Sequence, residues 1–217
     1  LQELCGHGGS GVRPCASGVV THTRVKTGMV QSARMHATLA VLQHLSMEGI
    51  AETEDLTEVV DGDVQETLAE LEAEGYVENE GFWYLTDAGE ERLNEVCRDR
   101  FSADQREALR GIFDRFEALD SEMKDLASDW QTGEYGGDGM ARERTRIQQE
   151  VEALFDELPA EVQSAYSRHT DALAGAIERL QDGQEEYVTG TDVDSYHTVW
   201  FRLHDDLLRT LGEGREE

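Results

Sequence analysis

Two stretches of the sequence carry residue types that could do chemistry. Residues 5 to 22, CGHGGSGVRPCASGVVTH, bring Cys5, His7, Cys15 and His22 into one short segment. Two thiolates and two imidazoles would suffice for a tetrahedral zinc ion. Their spacing is not that of a zinc finger, however, and a glycine-rich tail without metal is the simpler reading. No cofactor is expected. Gly6, Gly8 and Gly11 also satisfy G-x-G-x-x-G, but that motif cradles phosphate only between a strand and a helix. Here no strand precedes it, and Arg13-Pro14 follow where a helix should begin.

The second stretch is DSYHTVWFRLHDDLLRTLG near the end of the chain. On a helix, Asp194, His197, Trp200 and His204 fall on one face. With Trp130 and Gln131 from an upstream helix they could line a pocket for a small ligand. The plainer alternative has Asp194 or Ser195 capping the helix, Trp200 filling the core and the histidines flanking the seam. No nucleophile, base and orienter converge anywhere in the sequence, and no carboxylate–histidine repeat of the di-iron type occurs. An enzyme is not expected.

The elements that must position these residues follow from periodicity. From Arg34 the pattern is helical: ARMHATLAVLQHLSMEG puts Leu39, Leu42 and Leu45 on one face and stops at Gly49. TEDLTEVVDG reads as a short helix capped by Thr53. DVQETLAELEAEG reads as a third, with Asp63 as cap, Val64, Leu68 and Leu71 facing inward and Gly75 ending it. YVEN and FWYL, joined through EG, predict a hairpin, and TDAGEERLNEV restarts a helix from Thr86. Beyond Phe101, apolar residues recur at Leu109, Ile112, Phe116, Leu119, Met123, Leu126 and Trp130 in alternating steps of 3 and 4, the seam of a helical bundle. QTGEYGGDG breaks it. Further seams follow at Ile147–Leu158, ended by Pro159, and from Val162 through Tyr166, His169 and Leu173; the last helix closes the set.

The order helix, helix, helix, hairpin, helix over residues 35 to 98 resembles the winged helix-turn-helix domain of MarR-like and PadR-like regulators. LAELEAEGYVE and YLTDAGEERL carry the resemblance. It implies that Val64–Glu74 is a recognition helix and that the hairpin is a wing. ASDWQ together with DSYHTVWFRLHDDLLRTLG is also similar to an actinobacterial group of winged-helix proteins, some appended to phosphoenolpyruvate-utilising enzymes of the pyruvate phosphate dikinase type. That similarity implies architecture and a context beside a phosphotransfer enzyme, but no reaction. GVVTH shares only its Thr-His pair with the phosphorylated-histidine segment of such enzymes. The expected fold class is mainly α, a winged helix followed by an antiparallel helical bundle. Residues 1–33 form a glycine-rich tail or the end of an upstream domain, 34–100 the winged helix, and 101–217 a bundle for dimerisation or ligand sensing.

Charge cuts across that expectation. The chain of 217 residues carries −28. Residues 1–34 hold Arg13, Arg24, Lys26 and Arg34 against Glu3 alone, so the rest carries −31. Between Met35 and Glu91 there are sixteen Asp or Glu and no Lys or Arg. DNA affinity is largely phosphate neutralisation by cations, so a duplex is disfavoured unless Arg24, Lys26 and Arg34 act as a basic arm reaching the minor groove. Two functions therefore stand side by side: a transcriptional regulator with a dimerising or sensing bundle, and a winged helix without DNA binding that engages a protein partner. The long seam predicts a homodimer. Three cysteines, too few for a disulfide framework, point to a reducing cytoplasm, and no apolar run is long enough to span a membrane.

Overall fold

A computed structural model describes residues 20–60, 62–132, 137–190 and 193–213, with side chains for all of these except 20–33, 130, 131, 137 and 138. The fold is mainly helical with one small antiparallel sheet. In chain order its elements are α1 (Val20–Glu48), β1 (Ile50–Ala51), α2 (Thr53–Val59), α3 (Val64–Ala73), β2 (Val77–Asn79), β3 (Trp83–Leu85), α4 (Asp87–Asp99), α5 (Ala103–Thr132), α6 (Gly137–Asp156), α7 (Ala160–Gln181) and α8 (Tyr196–Leu211). A 3₁₀ turn at Glu185–Tyr187 lies between α7 and α8.

Local chemistry accounts for most boundaries. The Asp63 carboxylate accepts from the backbone N–H groups of Gln65 and Glu66 and starts α3. Thr86 starts α4 by accepting from Gly89 N–H at 3.0 Å, and its hydroxyl donates to Gly75 C=O at 2.7 Å, which ties the hairpin to the helix. Gly89 is needed there for a second reason: a Cβ at that position would stand 2.0 Å from the carbonyl oxygen of Tyr76. Gly49 and Gly75 follow their helices with φ of 80° and 78°, the left-handed stop that glycine adopts without strain.

Three boundaries differ from expectation. α1 begins at Val20 rather than Arg34, so the expected border between tail and first domain falls inside a helix. Between Val20 and Arg34 the sequence has no proline, and a helix anchored by packed residues propagates at little cost. α2 is preceded by Glu52 as its cap, not Thr53. The Asp55 carboxylate takes the Glu52 backbone N–H at 2.9 Å, while the Thr53 hydroxyl accepts from the Trp83 indole at 3.0 Å. β1, two residues long, had no periodic signal. It pairs Ile50 with Tyr84 and Ala51 with Trp83, making a sheet of order β1-β3-β2.

Buried apolar residues form two clusters, one from Ala37 to Cys97 and one from Phe101 to Leu211. The seam residues Leu109, Ile112, Phe116, Leu119, Met123 and Leu126 are all buried in the second. Helix α5 packs on α6, α6 on α7, α7 on α8, and α8 returns to α5. The seam expected to drive dimerisation is therefore used inside one chain.

α8 is the element common to both halves. Ten of its sixteen residues are buried, the pattern of a helix enclosed on most sides. It packs against α5 and α7, with Tyr196, Val199, Trp200, Leu203 and Leu207 in the second cluster, and it also packs against α4. At that second contact Arg100 reaches from the end of α4 to Asp206, Tyr166 and Thr210, and His169 holds the other Asp206 oxygen at 3.2 Å. Arg209 donates to Asp205, Glu90, Asn94 and Ser46, joining α8 to α4 and α1.

Burial alone would push the Asp206 carboxyl up, but the Arg100 charge and the His169 hydrogen bond outweigh it and hold the carboxyl down to about 2. A carboxyl depressed in the folded state contributes stability that is complete above its unfolded value near 4 and is lost as pH falls toward 2. The contribution is on the order of 2 kcal/mol. Urea unfolding of the wild type should thus lose about that much between pH 4 and 2 beyond the loss of an Asp206→Asn variant. Equal slopes would refute the assignment. Gly89→Ala should cost about 1–3 kcal/mol in the same assay, because its methyl meets backbone that cannot move aside.

Candidate functional site

Two surfaces contain the residues singled out from the sequence. The first is α3 with the sheet beside it. Val64, Thr67, Leu68 and Leu71 are buried, which leaves Gln65, Glu66, Ala69, Glu72 and Ala73 facing outward. Arg34, on α1, donates from Nε to Glu70 Oε2 at 2.8 Å, and the same two groups form an ion pair. The cation expected to serve a basic arm thus stands on a carboxylate of α3 itself, and that hydrogen bond raises the guanidinium pKa further. Arg24 and Lys26 belong to α1 by backbone, as does His22, but their side chains lie outside the described residues. So do Cys5, His7 and Cys15 entirely.

The second is the line along α8. Ser195, not Asp194, caps the helix by accepting from Thr198 N–H at 3.2 Å. Asp194 is exposed and pairs with Arg202, which also reaches Glu48 of α1. His197 is exposed, whereas Trp200 and His204 are buried. The four residues therefore do not line one pocket. His197 is the second residue of α8, while Trp200 and His204 lie deeper in the helix, against α5. A shared helical face does not ensure shared surroundings along its length. The side chains of Trp130 and Gln131 lie outside the described residues.

Trp200 and His204 instead meet a pair of carboxylates that sequence reasoning missed. The Trp200 indole donates to Asp120 Oδ1 at 2.8 Å and its ring stacks on Phe116. His204 places Nε2 at 2.6 Å from Glu117 Oε1 and Nδ1 at 3.4 Å from Asp120 Oδ1. Lys124 takes the other Asp120 oxygen at 2.6 Å. Glu117 and Asp120 sit one turn apart on α5, each next to a seam residue, Phe116 and Leu119. That adjacency was the available signal, but flanking positions of a seam ordinarily face water.

One ligand atom from each of Glu117, Asp120 and His204 lies within 4.8 Å of the others, so the trio has the composition of a divalent cation site. Its chemistry is already satisfied without one. Asp120 receives the indole N–H and the ammonium, and the His204 imidazole lies between the two carboxylates. The arrangement can bind α8 to α5, and it offers no nucleophile. Arg144 on α6 is also buried, with no hydrogen-bond partner at Nε or Nη1; burial lowers its pKa, while the nearby Tyr196 raises it less. A cleft of about 380 Å³ between α6 and α7 is lined by Glu152, Asp156, Gln163, Ser164 and Ser167 among others. There Ser167 donates to the Ser164 carbonyl at 3.0 Å, an internal helix contact rather than an activated hydroxyl.

No family model matches the chain, and neither a curated protein nor a solved structure matches it. Among the described residues no helix is long and apolar enough to cross a membrane.

The cluster makes a quantitative demand. Asp120→Ala strands the buried Trp200 N–H and removes one carboxylate from His204, which should lower stability by about 1–3 kcal/mol. Asp120→Asn keeps an acceptor for the indole and should cost less. Urea midpoints decide the order, and an alanine variant as stable as the asparagine variant would show that the indole contact contributes nothing.

Proposed function

We propose that residues 34–100 form a winged helix that has given up DNA for a protein partner, with the helical half from residue 101 as its rigid support. The order α1, β1, α2, α3, β2, β3, α4 supports the winged-helix reading. The observation that carries the function is electrostatic: from Met35 to Glu91 there is no cation, and Arg34 beside α3 is paired with Glu70. If α3 entered a major groove, Glu66 and Glu72 would face phosphates with no counter-charge of their own. Since each neutralised phosphate contributes about one unit to the salt slope, a face without cations forfeits the main source of affinity.

A transcriptional regulator is the second reading. The same element order favours it, and Arg24 and Lys26 are what remains of its expected basic arm once Arg34 is paired. Dimerisation in either case would use a surface other than the α5 seam, whose apolar residues are enclosed in the chain.

Fluorescence anisotropy with a labelled generic duplex separates the two. At ~0.1 M salt, where the Debye length is ~10 Å, binding should be weaker than the ~10⁻⁴ to 10⁻⁶ M usual for non-specific contacts. Any residual signal should vanish in an Arg24→Glu, Lys26→Glu variant. Tight binding that survives those substitutions would restore the regulator.

A further inference from the structure

Among the described residues, the large apolar side chains left exposed are Ile50, at 58%, and Phe82, at 47%. Ile50 belongs to β1, and Phe82 immediately precedes β3. Ile50 stands opposite Tyr84 and Tyr84 opposite Glu78, so the three form a row across the sheet. In the next row Ala51 and Trp83 are buried. Successive residues of a strand point to opposite sides, so the Ile50–Tyr84–Glu78 row faces outward. Phe82 lies in the turn that leads into β3 and is exposed there. The Tyr84 hydroxyl donates to Glu78 at 2.6 Å and fixes its ring beside that carboxylate. Glu78 and Glu80 are exposed beside them.

Single exposed apolar residues are ordinary; Ile50 with Tyr84 in one row of the sheet, Phe82 at the turn into β3 and carboxylates beside them have the composition of a recognition surface. Charge selects the occupant. A second copy of the chain brings another −28 and is repelled, as is an anionic bilayer. We propose that this outward sheet face docks a basic segment of another protein: an apolar side chain of the partner covers Ile50, Phe82 and Tyr84 while its Lys or Arg groups meet Glu78, Glu80 and the neighbouring carboxylates. The inference rests on the reading of this unit as a protein-binding module. It adds where the partner sits and what chemistry it brings.

Three labelled peptides test it against the full chain by anisotropy: one alternating arginine with leucine, one alternating arginine with serine, and one alternating glutamate with leucine. The arginine–leucine peptide should bind, the arginine–serine peptide bind more weakly, and the glutamate–leucine peptide not at all. In an Ile50→Ser, Phe82→Ser variant, the arginine–leucine peptide should weaken by at least about tenfold, while the arginine–serine peptide changes little. Both side chains are exposed, so an unchanged thermal midpoint will confirm that the variant is folded. Equal affinity of wild type and variant for the arginine–leucine peptide overturns the proposal. So does a wild type that sediments as a dimer and a variant that sediments as a monomer, because the face would then belong to a second copy. The parent reading fails separately, in the duplex titration. A chain that binds neither duplex nor peptide leaves that reading standing and removes this one.

Discussion

The structure depends on a shortage of positive charge. With 19 Lys and Arg set against 47 Asp and Glu, carboxylates are plentiful and cations decide where distant parts of the chain are fastened. Arg100 and Arg209 fasten α8 to the first half, Arg202 adds a contact from α8 to Glu48, Arg146 joins α6 to Glu122 of α5, and Arg115 holds Glu157. All of these are arginine, for a physical reason. A guanidinium offers several fixed donors and can serve several acceptors at once, as Arg209 does with Asp205, Glu90, Asn94 and Ser46. An ammonium on a flexible stem would hold fewer partners and fix their directions less.

The contacts differ in worth. Arg115 and Glu157 are both half exposed, and an exposed pair of this kind contributes little. Arg100 and Asp206 are nearly dry, so each is stable only because the other is present; removing one partner would leave a buried charge. Tyr166, Thr210 and His169 add further hydrogen bonds to the pair, while Arg100 Nε stays buried with no partner among the described residues. This interaction joins the two apolar clusters at their border, between Cys97 and Phe101, and sets how α4 meets α8.

Elements governed by neighbouring residues were legible in the sequence. Asp63 and Thr86 cap their helices, Ser195 caps its own as one of the two residues expected there, Gly49 and Gly75 stop theirs, and the alternating steps of three and four run down the buried face of α5. What escaped depends on partners far away in the chain. Arg100 and Asp206 are 106 positions apart and Trp200 and Asp120 are 80 apart, separations over which no periodic signal extends. β1 is two residues long and exists because Trp83 and Tyr84 offer it an edge. The line of Asp194, His197, Trp200 and His204 fails as a site: Asp194 precedes α8, and of the three on the helix only Trp200 and His204 are enclosed, because burial is set by the neighbour and not by the helix bearing the side chain.

The same shortage shapes the outer surface. Self-repulsion within an acidic shell opposes compactness, and cations placed at the contacts of α8 offset it where segments meet. The sequence from Met35 to Glu91 has no cation of its own, and the Arg34 contact to Glu70 is its border with the rest of α1. Interior apolar matching, from Leu42 and Leu45 through Leu56 and Leu68 to Leu93, holds that unit together without ion pairs. Its carboxylates are left largely unneutralised, with Ile50 of β1 and Phe82, just before β3, exposed among them. A surface that needs positive charge from outside and offers apolar area to whatever supplies it is better matched to a basic protein than to a polyanion.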